Sequence, residues 1–431
     1  MLLNVCILLL LVPALAIKKV MDGSNLAGMN FSMVLVGGGL DDNNKEIWNK
    51  IVELGGGRGV ARFGVMAAAG EDPCCDVQSS FFLYDTLLKL YGAAEVYYIP
   101  VTKDSKDQNS NADVVAQIKT LTGFFFTGGD QIRIIYSLYN SDEKIPSPVL
   151  LAIRETLLAT GGVVAGTSAG TDCLTSYTMI TGGASYNGLV NGTKLFWRTA
   201  EYSDEDIMTA YGPGGVGLFP YGLVDTHFAN RGRQGRMIRL MTDSRTLPTG
   251  SLRAFGVDEN TALVVTGPWL QRSASVIGER GVLMLDATDA EQPLSTSSYN
   301  NNNNIVPALV KLRATRLSVG DSLDLSSWQL TPASFKVAMA GRETPLPPAT
   351  SQDVFAEGSF EFDSLTRSLL LSTSQSTQGV SKETSPQAVL TVSKAPASGA
   401  ANTAQGFDGI NPTTGLYAYT YSELWVSVYM K

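Results

Sequence analysis

Between residues 32 and 170, short apolar runs alternate with longer segments of helical spacing, and three of the runs empty into glycines. Ser32–Val36 leads into Gly37-Gly38-Gly39, Gly123–Thr127 into Gly128-Gly129-Asp130-Gln131, and Val163–Ala165 into Gly166-Thr167-Ser168-Ala169-Gly170. Arg62–Ala68 and Glu95–Ile99 read as further buried strands. Glu46–Leu54, Phe81–Tyr91, Ala112–Leu121 and Val149–Ala159 carry helical periodicity, and Gly92 and Gly161 stop two of them. Strands alternating with helices predict an α/β fold whose parallel sheet is covered on both faces. Ligands of such sheets gather at the carboxyl ends of strands, so Gly37, Gly128 and Gly166 are expected to share one edge.

The pattern changes after about Ala254. Ala262–Thr266, Ser275–Ile277 and Val282–Leu285 are short runs with turn residues between them, and Asn300–Asn304 reads as a flexible loop. Val310–Val319 alternates, and Gly320-Asp321 turns the chain into Ser322–Leu325. Beyond Leu330 the text is rich in Ser, Thr, Pro and Ala. It is interrupted by alternating runs at Ser359–Phe362, Ser368–Leu371 and Leu416–Tyr429. Residues 331–431 therefore read as a β-rich C-terminal extension, with the aromatic alternation of the last run marking a half-buried strand.

At 431 residues the chain exceeds one ordinary domain, and 44% hydrophobic content is enough to bury a large core. A net charge of −8 argues against a nucleic-acid partner. Residues 1–16 form a short apolar run ending in Ala14-Leu15-Ala16, the pattern of a cleaved signal peptide. It is too short for a stable membrane span, and a secreted protein is expected. Cys6 leaves with that leader, and a bridge from Cys173 to Cys74 or Cys75 is the pair to test. One His and scattered Cys match no zinc spacing, so no metal is expected. Asn30-Phe31-Ser32 and Asn191-Gly192-Thr193 are glycosylation sequons.

His227 is the only histidine. It is the one side chain here whose ordinary titration suits proton transfer near neutrality. Ser168, between small residues at a strand-to-helix turn, fits an exposed nucleophile, and a helix starting at Ala169 would add amide donors and a positive dipole end. Asp225, Asp258 and Glu259 are the carboxylates that could orient the imidazole. Arg231, Arg233 and Arg236 crowd the same loop of an acidic chain, which points to recognition of carboxylate or phosphate.

Together these motifs resemble the cyanophycinases and the wider serine peptidase family that includes aspartyl dipeptidase. The resemblance covers about residues 31 to 328. It rests on Val36-Gly37-Gly38-Gly39, Leu90–Val96, Phe126–Gln131, Ala165–Gly170, Asp225–Arg236, Gly256–Ala262 and Leu317–Leu325. It implies a three-layer parallel-sheet sandwich of the class I glutamine amidotransferase-like type over residues 20–330. It also implies Ser168 as nucleophile, His227 as base and Glu259 as its orienting acid. Backbone amides of Gly129 and Ala169 would form the oxyanion hole, and Gln131, Asp225, Arg231, Arg233 and Arg236 would line the substrate site. Such enzymes release β-linked aspartyl-arginine units from a polymer of aspartate and arginine, use no cofactor, and are often homodimers. The family pattern has Gln where Thr226 stands, and the last hundred residues lie outside it. An α-aspartyl dipeptidase on the same scaffold and a non-catalytic secreted binding or matrix protein are the alternative functions.

Overall fold

The computed structural model describes residues 29–141, 144–201, 207–290, 298–299, 305–306, 311–394 and 404–431. The expected leader at residues 1–16 and the run Asn300–Asn304 lie outside them. Five strands, β1 (Ser32–Val36), β2 (Arg62–Met66), β3 (Glu95–Tyr98), β4 (Gly123–Phe126) and β5 (Val163–Thr167), pair in parallel in the order β1-β5-β4-β2-β3. Successive side chains face opposite ways along a strand, so each strand feeds two cores. Val34, Phe63, Phe125 and Ala165 pack with Trp48 and Ile51 of helix Lys45–Leu54 and Leu87 and Leu88 of helix Gln78–Leu90. Leu35, Phe124, Phe126 and Val164 face the helices Ala112–Ile118, Gln131–Leu138 and Pro148–Thr160. Local chemistry sets the bounds of the last helix: the Ser147 side chain accepts from Leu150 N, Pro148 opens it, and Gly161 closes it at φ 65°. This is the predicted α/β sandwich.

Beyond β1 the same sheet continues with antiparallel strands, Thr261–Thr266, Ser273–Gly278, Ser322–Asp324 and Leu330–Thr331. A second sheet runs Leu223–Asp225, Arg253–Val257, Gly281–Asp286, Leu312–Ser318, Tyr417–Met430, Gln405–Ile410 and Val337–Ala338. Tyr417–Met430 also pairs with Ala388–Ser393, which pairs with Ser376–Val380.

The C-terminal residues are therefore joined to the body of the protein through a shared sheet. Leu312–Ser318 pairs directly with Tyr417–Met430. Their core is shared too: Met237, Ile238 and Met241 of helix Gln234–Ser244 belong to one apolar cluster with Leu285, Leu365, Leu390 and Leu424.

Two readings of the sequence need correction. The runs at Ser359–Phe362 and Ser368–Leu371 are not strands but the flanks of a helix, Glu361–Leu370. Its buried residues are Phe362, Leu365, Thr366, Leu369 and Leu370, a helical spacing that windows of four residues were too short to show. Cys173 is a buried free thiol whose Sγ donates to Gly170 O at 3.2 Å, so it does not bridge to Cys74 or Cys75. Both sequon asparagines, Asn30 and Asn191, are exposed. Among the described residues, no helix is long and apolar enough to cross a membrane.

A chain ended at residue 330 would leave one edge of Leu312–Ser318 unpaired and open the shared core. We expect it to be insoluble or to lose cooperative unfolding by circular dichroism; a sharp melt in the shortened chain would show an independent body. In the full chain, Leu424→Ala at a fully buried site should cost about 2–5 kcal/mol of unfolding free energy.

Candidate active site

β5 ends at Thr167 and the chain reverses at Ser168, whose φ of 53° and ψ of −125° lie where residues with side chains seldom sit. Packing around the turn is too close for larger neighbours. A Cβ on Gly166 would lie 2.4 Å from Gly170 O, and one on Gly170 would lie 2.1 Å from Phe126 O. Thr171 and Asp172 donate to Ser168 O at 2.8 and 3.0 Å, closing the single turn Ala169–Asp172. The dipole expected of a longer helix is thus reduced to that of one turn.

Ser168 Oγ lies 2.8 Å from His227 Nε2, and His227 Nδ1 lies 2.6 Å from Glu259 Oε1. The ring is placed by its backbone. His227 follows strand Leu223–Asp225, adopts φ 48°, and donates its N–H to Gly37 O at 2.6 Å. The floor under the ring is Gly38, at φ +92°, where a Cβ would come within 2.3 Å of the imidazole. The glycine run after β1 therefore makes room for the histidine. Of the three carboxylates weighed from the sequence, only Glu259 reaches the ring. Asp225 accepts from Arg236, and Asp258 accepts from Ala229 N and Arg316.

Burial holds the His227 pKa below its ordinary value; the Glu259 hydrogen bond pulls it up, and Arg231 and Arg233 push it further down. The carboxylate can only accept, so Nδ1 carries the proton and the Nε2 lone pair faces Ser168 Oγ.

The loop after β4 passes beside the elbow, where a Cβ on Gly128 would lie 3.3 Å from Ser168 Cβ. Gly129, at φ +136°, presses against Ala69 O, where a Cβ would lie at 2.4 Å. Among the described residues, neither the Gly129 nor the Ala169 amide donates to a backbone carbonyl, which leaves both for another acceptor.

The polar residues expected around a substrate divide into two groups. Asp225 and Arg236 are buried against each other: Arg236 donates to Asp225 through Nε at 2.8 Å and through Nη2, and to Gly183 O at 2.7 Å. Arg233 Nη1 adds contacts to Asp225 Oδ1 at 3.2 Å and Thr226 O at 2.7 Å, and Thr226 N donates to Asp225 at 2.9 Å. Asp225 is thus saturated from within, and does not offer its carboxylate to an outside guanidinium. Gln131 is likewise occupied, with Nε2 donating to Ile180 O at 2.6 Å. Arg231 differs: its side chain is exposed and close enough to lower the His227 pKa.

Three other residues bear on the site, and periodicity and motif spacing did not reveal them. Asn230 Nδ2 donates to Glu259 Oε2 at 2.9 Å. Arg316, nearly a hundred residues along the chain, meets Asp258 at 3.2 Å. Asp172 is buried beside Asp225; burial first, then Asp225, pushes its pKa up to about 8 against the pull of Arg233 and Arg236. Thr226 Oγ1 donates to it at 3.0 Å, which offsets part of that rise. A cluster of buried acids and arginines was legible in the sequence only as composition.

No family model matches the chain. Curated relatives do. A cyanophycinase of Nostoc sp. is 29% identical over 256 residues, 59% of this chain and 74% of the relative. A cyanophycinase of Synechococcus elongatus is 26% identical over 321 residues, 74% of this chain and 87% of the relative. The crystal structure of a peptidase from an acI-B1 Actinobacterium aligns with a TM-score of 0.46 at 21% identity, covering 70% of this chain and 99% of that one.

A base whose pKa lies below 6.5 is neutral throughout the neutral range and is lost only on acidification. The acid limb of kcat/KM should therefore fall below pH 6.5; a limb above it would contradict the buried, neutral imidazole. Gly38→Ala should displace the ring and lower kcat on the order of a hundredfold, measured beside an unchanged far-UV spectrum.

Proposed function

We propose that this chain, a cyanophycinase-like serine-type peptidase, is an exopeptidase that hydrolyses β-aspartyl-arginine linkages through an acyl-enzyme. The observation that carries the reading is the unbroken hydrogen-bonded chain Ser168–His227–Glu259, at 2.8 and 2.6 Å. Ser168 Oγ attacks the substrate carbonyl carbon as its proton passes to His227 Nε2. The carbonyl oxygen becomes an oxyanion and accepts hydrogen bonds from the Gly129 and Ala169 amides. His227 then hands its proton to the leaving amine nitrogen, and the C–N bond breaks. Water attacks the ester, giving its proton to His227, and Ser168 leaves with that proton as the acid product departs. Glu259 stabilises the imidazolium formed in both halves and fixes its tautomer.

The substrate class is supported by the likeness to cyanophycinases and by the arginine-rich loop beside the triad. Arg231 is the guanidinium open to a substrate carboxylate. Asp225, Arg233 and Arg236 act mainly as the braced wall behind it, and Gln131 holds the neighbouring Ile180 strand. A second reading, an α-aspartyl or other acidic dipeptidase, draws support from Thr226. Its hydroxyl is turned inward onto Asp172, where the resembled pattern carries a longer amide. We further propose that the protein is secreted, on the strength of the apolar run ending at Ala14-Leu15-Ala16.

Purified cyanophycin should release dipeptide with wild-type protein, and Ser168→Ala should lower the rate by roughly a thousandfold or more with an unchanged melt. Comparable turnover by the variant would remove Ser168 from the chemistry. Dipeptidase activity on α-linked aspartyl dipeptides, without release from the polymer, would favour the second reading.

A further inference from the structure

We infer that Asn230 is the positioning residue for Glu259, and that the C-terminal segment Val354–Asp363 holds it in place. The inference rests on reading Ser168, His227 and Glu259 as the triad. Asn230 grips Glu259 twice: Nδ2 donates to Glu259 Oε2 at 2.9 Å, and Oδ1 accepts from Glu259 N at 3.4 Å. One carboxylate oxygen thus meets His227 and the other meets Asn230. A carboxylate with only the imidazole as partner could swing about its last torsion; a second donor on the far oxygen fixes the plane in which it accepts.

Asn230 is in turn fixed from the C-terminal region. Gly358 N donates to Asn230 O at 2.7 Å. Two residues on, Gly232 at φ +54° packs so closely that a Cβ would lie 2.3 Å from Phe355 O. On the opposite side, Asp258 accepts from Ala229 N at 2.9 Å and from Arg316 Nη2 at 3.2 Å. The same Arg316 nitrogen reaches Asp363 at 3.0 Å, on the helix Glu361–Leu370. The strip Ala229–Gly232, which carries Asn230, is therefore clasped between Asp258 and Val354–Asp363, with Arg316 tying the two sides. This gives residues beyond 330 a part in the reaction: they set the acid of the triad without touching substrate.

Asn230→Ala, and the milder Asn230→Ser, should lower kcat ten- to a hundredfold with KM within about threefold. On a Glu259→Gln background the same changes should cost less than about twofold, because the group they position is already disabled. Asp363→Asn should repeat this pattern with a smaller loss. The acid limb of kcat/KM should move to lower pH in Glu259→Gln, since an imidazolium without its carboxylate loses its proton more readily, and by less in Asn230→Ala, where the carboxylate stays but is no longer held. Equal losses on both backgrounds, or full activity in Asn230→Ser, would overturn the inference. The cycle is also read by the rate at which a fluorophosphonate labels Ser168. If wild type labels but leaves cyanophycin intact, the substrate reading fails while the labelling cycle still decides the role of Asn230.

Discussion

The site depends on a backbone conformation that the chain would not adopt unaided. Ser168 sits at φ 53° and ψ −125°, a placement that costs about 1–3 kcal/mol unless its surroundings impose it. The imposition comes from the parallel sheet. Ser168 N donates to Val36 O at 3.2 Å, and Thr171 Oγ1 donates to the same carbonyl at 2.7 Å. The end of β1 thus ties down both sides of the elbow. Gly166 and Gly170 allow the turn to fold under Phe126, at the end of β4. Three adjacent strand ends, β1, β5 and β4, converge on one residue, and the result is a hydroxyl raised above the sheet.

Charge placement follows a related logic. Desolvating a carboxylate or a guanidinium is costly unless a partner is in contact, so the buried charges near the elbow occur in compensated groups. Asp225 is surrounded by Arg236, Arg233 and Thr226 N, and burial beside Asp225 pushes the Asp172 carboxyl well above the usual carboxylate range. Asp258 lies between Arg316, Ala229 N and Gly281 N. The Asp225 and Asp258 carboxylates thus take their hydrogen bonds from groups inside the protein. Arg231 is left as the exposed guanidinium beside His227, and burial keeps the imidazole neutral.

Much of the first sheet could be read from the sequence because its information is local. Each strand is a run of four or five residues, most of them apolar, each helix has a stripe, and glycines mark the turns where backbones touch. The elbow was legible for the same reason: Gly166 and Gly170 are sterically required a fixed number of residues from Ser168. Long-range pairing was not legible. Nothing near Leu312–Ser318 announces a partner at Tyr417–Met430, and nothing near Asp225 shows that its partner is Arg236 rather than a ligand. The helix Glu361–Leu370 was misread because its two ends, taken separately, mimic alternation; the central Leu365 and Thr366 restore the period. Asn230 carried no signal, since an amide's role depends on what it faces.

The proposed triad also spans the two sheets, which links it to the C-terminal residues. Ser168 leaves β5 of the first sheet. His227 follows Leu223–Asp225 of the second. Glu259 lies in the three-residue passage from Arg253–Val257 in the second sheet to Thr261–Thr266 in the first. The Ser168–His227 contact is therefore a contact between sheets, and Glu259 sits where one becomes the other. Strands Ala388–Ser393, Gln405–Ile410 and Tyr417–Met430 belong to that second sheet, and Arg316, on the strand paired with Tyr417–Met430, reaches back to Asp258 beside Glu259. The sheet that His227 follows is thus continued by strands of the last hundred residues, and the proposed triad is tied to them through it.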